Sequence, residues 1–300
     1  MSFDIAVMQA FNGLSLFTVL ALMALGLAIV FGLMGVINMA HGELMAMGAY
    51  TTYLTALIFE RCAPTLMAFY LPVAVVMAFA VTFAFGLTLE RSFIRFLYHR
   101  PLDTMLATWG LSLILQQAFR SLFGPREVGV PSPSWLTGAW QPISGISIPL
   151  SRLFIIGLTV VVGCALYRLL FGTRWGLRIR AVTQNRAMSG AVGIDTARVD
   201  AVTFAIGSGL AGVAGSAFTM LASTGPVTGQ QYIVDTFIVV VFGGVESLLG
   251  TFMAAFTIAQ MQSWLEFTLT GSMAKATILL CVIVALYFRP AGLFAAKVRR

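Results

Sequence analysis

Three polar residues at the start of one apolar run could take part in chemistry: Asn38, His41 and Glu43. On a helix, His41 lies about 60° and Glu43 about 140° round from Asn38. A charged group near the centre of a bilayer costs about 2.5–3.5 kcal/mol on insertion scales, so its presence needs a reason. Two interpretations are open: these groups cap a broken helix between flanking glycines, or they line or gate a polar path.

A second polar group lies in a later apolar run, where Thr108, Ser112 and Gln116 follow one another at intervals of four. Residues four apart share one face of a helix. A polar stripe on a helix in lipid is expected to face protein or water. Hydroxyl and amide groups suit an uncharged polar solute, which needs no countercharge. The stripe is therefore a candidate wall of a solute path.

A glycine-rich segment near the C-terminal end predicts a tight turn between two helices, formed by Gly243, Gly244, Glu246 and Gly250. The carboxylate of Glu246 is expected at the start of the next helix, where the macrodipole favours a negative charge. Asp235 is expected to cap the preceding helix in a similar way. The alternative for this region is a re-entrant segment around Gly243 and Gly244.

Small residues recur every three or four positions between 207 and 216. This pattern permits close helix packing in lipid. Packing is the favoured interpretation, and a helix that lines a pore is the alternative.

No catalytic or metal-binding pattern is present. The sequence has no P-loop and no nucleophile elbow, and its only histidines are His41 and His99. The three cysteines are scattered. The net charge of +7 is not accompanied by a nucleic-acid-binding pattern. We therefore predict no enzyme, no metal or other cofactor in this chain, and no nucleic-acid partner.

Composition places the chain in the lipid bilayer. Hydrophobic residues make up 59% of the sequence and charged residues 10%, against about 25% charged in ordinary soluble domains. We predict an all-α polytopic transmembrane bundle, a single domain over 1–300, with nine spans and eight to ten possible. The predicted spans are 10–33, 40–59, 66–89, 104–122, 152–171, 199–222, 232–246, 249–268 and 274–289.

Positive charge predicts the orientation. Thirteen of the 18 Lys and Arg residues fall in loops that share one side, between spans three and four, between spans five and six, and in the tail. Basic loops favour the cytoplasm. We therefore expect a periplasmic N-terminus, a cytoplasmic C-terminus and an odd number of full crossings.

Two long connections stand out. The predicted periplasmic loop, 123–151, contains half of the ten prolines together with Trp135 and Trp140, so a long helix is not expected there. It is either a passive loop, or a docking surface or lid. The predicted cytoplasmic loop, 172–198, can form an amphipathic helix or two short ones over 177–192, stopped by Gly193. It lies either on acidic lipid headgroups or against a protein partner.

Four motifs give the chain a family resemblance over nearly its whole length. It resembles the permease subunits of the branched-chain amino acid type of ATP-binding-cassette importers, and within them most closely the urea-importer permease, through 100–117 and 123–133. Many relatives have a second glycine where Glu246 stands. The motifs are Gly35–Glu43, Gly176–Asn185 with Gly193-Ile194, Leu210–Gly215 and Gly243–Gly250.

The resemblance implies a fold similar to the type II importer permeases and a role for 174–194 as the coupling segment that docks on an ATPase subunit. It also implies a second permease subunit, two ATPase subunits that hold ATP and Mg²⁺, and a periplasmic solute-binding protein, in the bacterial inner membrane. The candidate coupling residues are Arg174, Gly176, Arg178, Arg180, Asn185, Arg186 and Gly193.

The resulting expectation is a non-catalytic permease that forms a translocation path for urea or a similar small polar solute, with Asn38, His41, Glu43, Thr108, Ser112 and Gln116 as candidate path residues. One alternative is a branched-chain amino acid permease. Another is an autonomous channel or proton-coupled transporter, in which His41, Glu43 and Glu246 relay protons.

Overall fold

The computed structural model describes residues 3–98, 100–143, 146–245 and 247–293. Within these residues, nine α-helices of 16 or more residues form an all-α bundle, and two shorter helices lie between the fifth and sixth of them. The helices are α1 (Phe3–Ala28), α2 (His41–Cys62), α3 (Tyr70–Ser92), α4 (Pro101–Phe123), α5 (Leu150–Gly172), α6 (Arg174–Gln184), α7 (Arg186–Ala191), α8 (Thr196–Phe218), α9 (Thr228–Gly243), α10 (Leu248–Thr268) and α11 (Gly271–Phe288).

The nine long helices follow the nine predicted spans in order. Among the described residues, five helical stretches are long and apolar enough to cross a membrane by length and composition alone. Of the four remaining long helices, α9 has only 16 residues, and α2, α4 and α10 contain polar residues such as Glu43, Gln116 and Gln262. The polytopic helical bundle is confirmed, whereas the number of full crossings stays a prediction. The five stretches are Ile5–Leu33, Pro64–Phe96, Leu150–Gly172, Thr196–Phe218 and Gly271–Phe288.

Helix α8 is the centre of the bundle, and its small residues bring its backbone close to that of three neighbours. A methyl group added to Gly207 would come within 2.7 Å of the Gly26 carbonyl oxygen on α1. Gly212 lies against the α2 backbone at Gly48 and also against α3. The packing interpretation of 207–216 is therefore confirmed, since these residues are buried between helices.

Helices α3, α4, α5 and α11 lie at the periphery and keep broad apolar faces on the outside. On α4, for example, Leu106 and Ile114 are well exposed, while Thr108 and Ser112 face inward. An apolar outer face is what lipid or a second membrane subunit covers.

The proline-rich connection before α5 has little helix, as its composition predicts. It contains a short antiparallel hairpin, β1 (Ala139–Ile143) and β2 (Ile146–Pro149). It folds back onto the bundle, because the Trp135 indole N–H donates to the carbonyl of Ala68 at 2.6 Å and Val128 pairs with Thr224 through their backbones.

Candidate functional site

The chain breaks between α1 and α2, as the glycines around Asn38 predict. Helix α1 ends in a π-helical turn, Ile29–Leu33, and Gly35 has a φ of +69°. The Asn38 side-chain oxygen accepts the backbone N–H of Ala40 at 3.0 Å, just before α2 begins. The broken helix is thus confirmed. The expectation that Asn38 shares a helix with His41 and Glu43 is wrong, because Asn38 precedes the first turn of α2.

His41 is buried at the first position of α2 and faces α1. Its Nε2 lies 3.2 Å from the carbonyl oxygen of Met23. That oxygen can only accept, so Nε2 carries the proton and Nδ1 is left as an acceptor. Among the described residues, Nδ1 has no hydrogen-bond partner, and neither does the Asn38 Nδ2 group.

Glu43 joins α2 to the predicted polar stripe on α4. Its Oε1 accepts hydrogen bonds from the Ser112 hydroxyl at 3.1 Å and from the Gln116 amide at 2.9 Å. One turn away, the Thr108 hydroxyl accepts the backbone N–H of Met39 at 3.1 Å. We call these contacts among Met39, Glu43, Thr108, Ser112 and Gln116 the polar seam.

All six candidate path residues are buried, and they lie along the polar seam or at the α1–α2 break beside it. The prediction that the α4 stripe faces inward is confirmed. Within the described part of the chain, Glu43 Oε2 and the Tyr50 hydroxyl have no hydrogen-bond partner. Buried polar groups are normally paired, so these atoms keep hydrogen-bonding capacity that the described side chains do not use.

The loop between α5 and α8 forms the two short helices α6 and α7. The Thr173 hydroxyl accepts the N–H of Gly176 at the start of α6, and the Asn185 side chain accepts the N–H of Met188 at the start of α7. Gly193, with a φ of +86°, lies one residue beyond Val192, the C-cap of α7, so a glycine follows the helix end as predicted. Gly176 has no room for a side chain, because an added methyl would collide with the Leu170 carbonyl.

The anchors of this loop were missed from sequence: Ile179 and Val182 are buried against the bundle, whereas Leu177, Met188 and Val192 are exposed. The spacing of Ile179 and Val182, three apart, was the available signal. The exposed apolar side chains leave a surface that lipid or a protein partner can cover.

The candidate coupling arginines have different surroundings. Arg174 and Arg178 are exposed. Arg180 donates to the carbonyl of Leu170 at 2.7 Å and covers the Phe171 ring. Arg186 turns inward and places its Nη1 2.6 Å from the Asp200 carboxylate.

Next to Arg186, Tyr98 donates its hydroxyl to Glu90 at 2.5 Å. Burial first, and then the hydrogen bond to Glu90, raise the pKa of the Tyr98 phenol above its usual value. Tyr98 therefore remains protonated and acts as a hydrogen-bond donor at physiological pH.

The predicted turn after α9 is present. Gly244 has a φ of +97°, and a methyl on Gly243 would lie 2.6 Å from the Gly250 backbone. The Ser247 hydroxyl caps α10 by accepting the N–H of Gly250 at 3.0 Å. Glu246, predicted to sit at that helix start, lies outside the described residues.

Asp235 does not cap α9, contrary to expectation. Helix α9 begins earlier, at Thr228, so Asp235 lies in its interior. Its carboxylate instead forms an ion pair of 2.7 Å with Lys275 on α11.

Sequence reasoning did not find a cavity of about 570 Å³ at one end of the bundle, where α1, α5 and α9 begin and α8 and α10 end. The only signals were two isolated charges, Arg152 and Glu266, at the ends of apolar runs. We call it the terminal cavity. Its lining comprises Gln9, Asn12, Ser15, Leu16, Val19, Arg152, Phe218, Leu221, Ala222, Tyr232, Ser263, Glu266 and Phe267.

Comparison with known proteins gives a match over nearly the whole chain. A family profile described as the permease component of the branched-chain amino acid transport system matches residues 9–286. No solved structure matches the chain.

Curated relatives carry similar names. The high-affinity branched-chain amino acid transport system permease protein LivH of Salmonella typhimurium is 27% identical over 95% of this chain and 94% of its own length. The corresponding protein BraD of Pseudomonas aeruginosa is 26% identical over 95% and 94%. A probable branched-chain amino acid transport permease protein LivH of Methanocaldococcus jannaschii is 24% identical over 92% and 86%.

The matched region covers all or most of each of the nine long helices, together with the α1–α2 break, the loop that contains α6 and α7, and the turn after α9. Proteins of this family are non-catalytic permease subunits of ATP-binding-cassette importers, in which the ATPase is a separate subunit. The chain belongs to the permease-component family of the branched-chain amino acid transport systems.

Proposed function

We propose that this permease subunit carries a branched-chain amino acid across the membrane. The observation that supports this substrate is the terminal cavity, which combines one cation, Arg152, one anion, Glu266, and apolar walls. An aliphatic amino acid has the complementary set: a carboxylate, an ammonium and an apolar side chain. The names of the relatives agree with this substrate.

The polar groups of the cavity are oriented by their neighbours. Arg152 donates to the Asn12 side-chain oxygen, which leaves other guanidinium N–H groups for a carboxylate. Guanidinium groups bind carboxylates in a bidentate geometry. Glu266 accepts from the Gln262 amide at 2.8 Å through Oε1, so its second oxygen is available to an ammonium.

The apolar wall suits the aliphatic side chain. Leu16 and Val19 from α1 line the cavity, together with Phe218, the last residue of α8, and Leu221 in the turn after it. Burial of a leucine side chain contributes about 1.5–3 kcal/mol, which is enough for transient binding. A transport path has to release its solute, so we expect most of the selectivity to reside in the binding protein.

We infer that the terminal cavity faces the periplasm, where a solute-binding protein would deliver substrate, because most basic residues lie in loops at the opposite end of the bundle. The loop that contains α6 and α7 then lies in the cytoplasm and docks on an ATPase subunit. We further propose a second permease subunit, two ATPase subunits that hold ATP and Mg²⁺, and the bacterial inner membrane as location. The polar seam and the α1–α2 break lie further along the path, where opening would admit water to the unpaired atoms.

The test is uptake of radiolabelled leucine by the complete importer in liposomes, with binding protein on one side and ATP on the other. We expect ATP-dependent accumulation. Arg152→Gln is expected to lower uptake by roughly tenfold or more, since a charge-assisted hydrogen bond is lost. Arg120→Gln is the matched control, because Arg120 is exposed at the same end of the bundle and does not line the cavity.

Urea is the second candidate. The supporting observation is the buried stripe Thr108, Ser112 and Gln116, whose hydroxyl and amide groups suit a neutral solute; the resemblance of 100–117 and 123–133 to the urea-importer permease points the same way. Labelled urea in the same liposomes distinguishes the two. Urea accumulation without leucine accumulation would contradict the amino acid proposal, and the converse would contradict urea.

A further inference from the structure

We propose that Arg186 is a positioning residue that couples movement of the α6–α7 loop to the helix bundle, and that it is not a contact for the ATPase subunit. This inference rests on the proposed docking of the loop on an ATPase. It assigns different tasks to the arginines that the family resemblance groups together.

The ion pair between Arg186 and Asp200 crosses from the loop into the bundle. The Arg186 side chain is 47% exposed, whereas the Asp200 side chain is 6% exposed, and the two charged atoms are 2.6 Å apart. Arg186 is the first residue of α7, and Asp200 lies in the first turns of α8. Since a buried carboxylate without its partner is strongly disfavoured, this contact resists separation when the loop is pulled.

A second contact of Arg186 extends the connection to α3. The guanidinium carbon lies 5.5 Å from the centre of the Tyr98 ring, within the range of a cation–π interaction. The Tyr98 hydroxyl donates to Glu90 at 2.5 Å, and Glu90 is buried near the end of α3. We call Arg186, Asp200, Tyr98 and Glu90 the latch. It attaches α7 to two helices of the bundle at once.

Helices α3 and α8, which the latch connects to α7, pack closely against each other. A methyl on Gly209 of α8 would lie 2.5 Å from the Phe79 ring on α3, and Gly86 of α3 faces Ser208 of α8 with similarly little space. A displacement of α7 is therefore transmitted to α3 and α8 as a unit. Because α8 also contacts α1 and α2 closely, the central helices follow.

Among the described residues, the other candidate arginines form no ion pair with a buried carboxylate of the bundle. Arg178 is exposed and lies 6.0 Å from the ring centre of Trp175, on its own helix. Arg180 bonds to the end of α5 through a backbone carbonyl. Exposed cations such as Arg174 and Arg178 are free to contact a partner, whereas Arg186 is already committed to Asp200.

The experiment uses the complete importer in liposomes and measures three quantities: copurification of the ATPase subunits, ATP hydrolysis, and solute transported per ATP. For Arg186→Gln we expect unchanged copurification and continued hydrolysis, with transport per ATP lowered by roughly 3- to 30-fold, the range seen when a coupling residue is changed. Asp200→Asn is expected to have the same effect, and the double variant no larger one, because both remove one ion pair. Arg186→Lys, which keeps the positive charge, is expected to keep most of the unmodified value of solute transported per ATP.

Arg178→Gln is the matched control and is expected to weaken ATPase copurification without changing transport per ATP. Loss of ATPase copurification in Arg186→Gln with a normal ratio would overturn the latch in favour of docking. A normal ratio in both Arg186→Gln and Asp200→Asn would also overturn it. If Arg186→Gln does not assemble, the other two variants decide. The latch is supported if solute transported per ATP is low in Asp200→Asn and close to the unmodified value in Arg186→Lys. Any other pair of results contradicts it.

The docking proposal can fail independently of the latch. If the ATPase subunits still copurify after Arg174 and Arg178 are both changed, docking through these two residues is contradicted. Solute transported per ATP in Arg186→Gln would still test the latch.

Discussion

Helix α2 contacts α8 and α4 in opposite ways. Against α8 it has backbone contacts, with Gly48 facing Gly212 and the Met45 carbonyl facing Gly215. Against α4 it has side-chain hydrogen bonds from Glu43. Tight backbone packing has no alternative arrangement, whereas hydrogen bonds can be replaced by water or a polar solute. The comparison indicates that α2 and α8 move together and that α4 is the neighbour able to separate from α2.

The largest loss of stability is expected for a change in the contact between α2 and α8. In Gly215→Ala, the added methyl would collide with the Met45 carbonyl and come within 2.8 Å of the Ala49 nitrogen. Both are backbone atoms that cannot move aside, so we expect destabilisation of about 3 kcal/mol, as for an overpacked core. Thermal unfolding of the purified protein in detergent measures it.

Its matched control is Gly110→Ala on α4, where the added methyl would have no atom within 4 Å apart from the neighbouring backbone of its own helix. That change should leave the unfolding temperature the same or raise it slightly, since alanine favours helix by up to about 1 kcal/mol. Equal losses for the two variants would show that α8 is not packed more tightly than α4.

An intermediate effect is expected for Gln116→Leu in the polar seam. It removes hydrogen bonds to Glu43 and Ser112, and hydrogen bonds between helices in lipid average about 0.6 kcal/mol each. We expect the free energy of unfolding to fall by about 1 kcal/mol and transport to be reduced. Gln117→Leu, at an exposed neighbouring position, is the control. Normal transport and selectivity in Gln116→Leu would remove the stripe from the solute path.

The smallest effect is expected for Thr108→Val, which keeps the shape of the side chain and removes the acceptor for the Met39 N–H. One hydrogen bond to α4 is lost, so we expect the free energy of unfolding to fall by about 0.6 kcal/mol. Thr88→Val is the comparison, because the Thr88 hydroxyl is exposed and bonds only within its own helix. If the two threonine variants unfold at the same temperature, the Met39 contact contributes nothing to the attachment of α4.

The long helices could be predicted because lipid imposes a length and an apolar composition on each span. The inward direction of Thr108, Ser112 and Gln116 followed from helical spacing. The position of Asn38 did not, because the helix start is set by backbone hydrogen bonds around Ala40, which leave no periodic pattern.

Other features depend on tertiary contacts. Arg186 and Asp200 are separated by a glycine turn and a helix start, so their spacing did not predict an ion pair. The terminal cavity is lined by residues from 9 to 267, at the ends of five helices, and neither Arg152 nor Glu266 belongs to a motif. These residues become related only when the helices are packed.

The burial of α1 has a consequence for synthesis. Helix α1 is synthesised and enters the bilayer before α8 and α10, which cover it. In the folded protein, Gly26 of α1 packs against Gly207 of α8, and the carbonyl of Ala10 accepts a hydrogen bond from the side chain of Gln260 on α10. Helices in membranes insert first and associate afterwards. During translation, lipid therefore surrounds a surface that protein later occupies. A chain that stops before α8 would leave α1 in lipid without the helices that cover it in the folded protein.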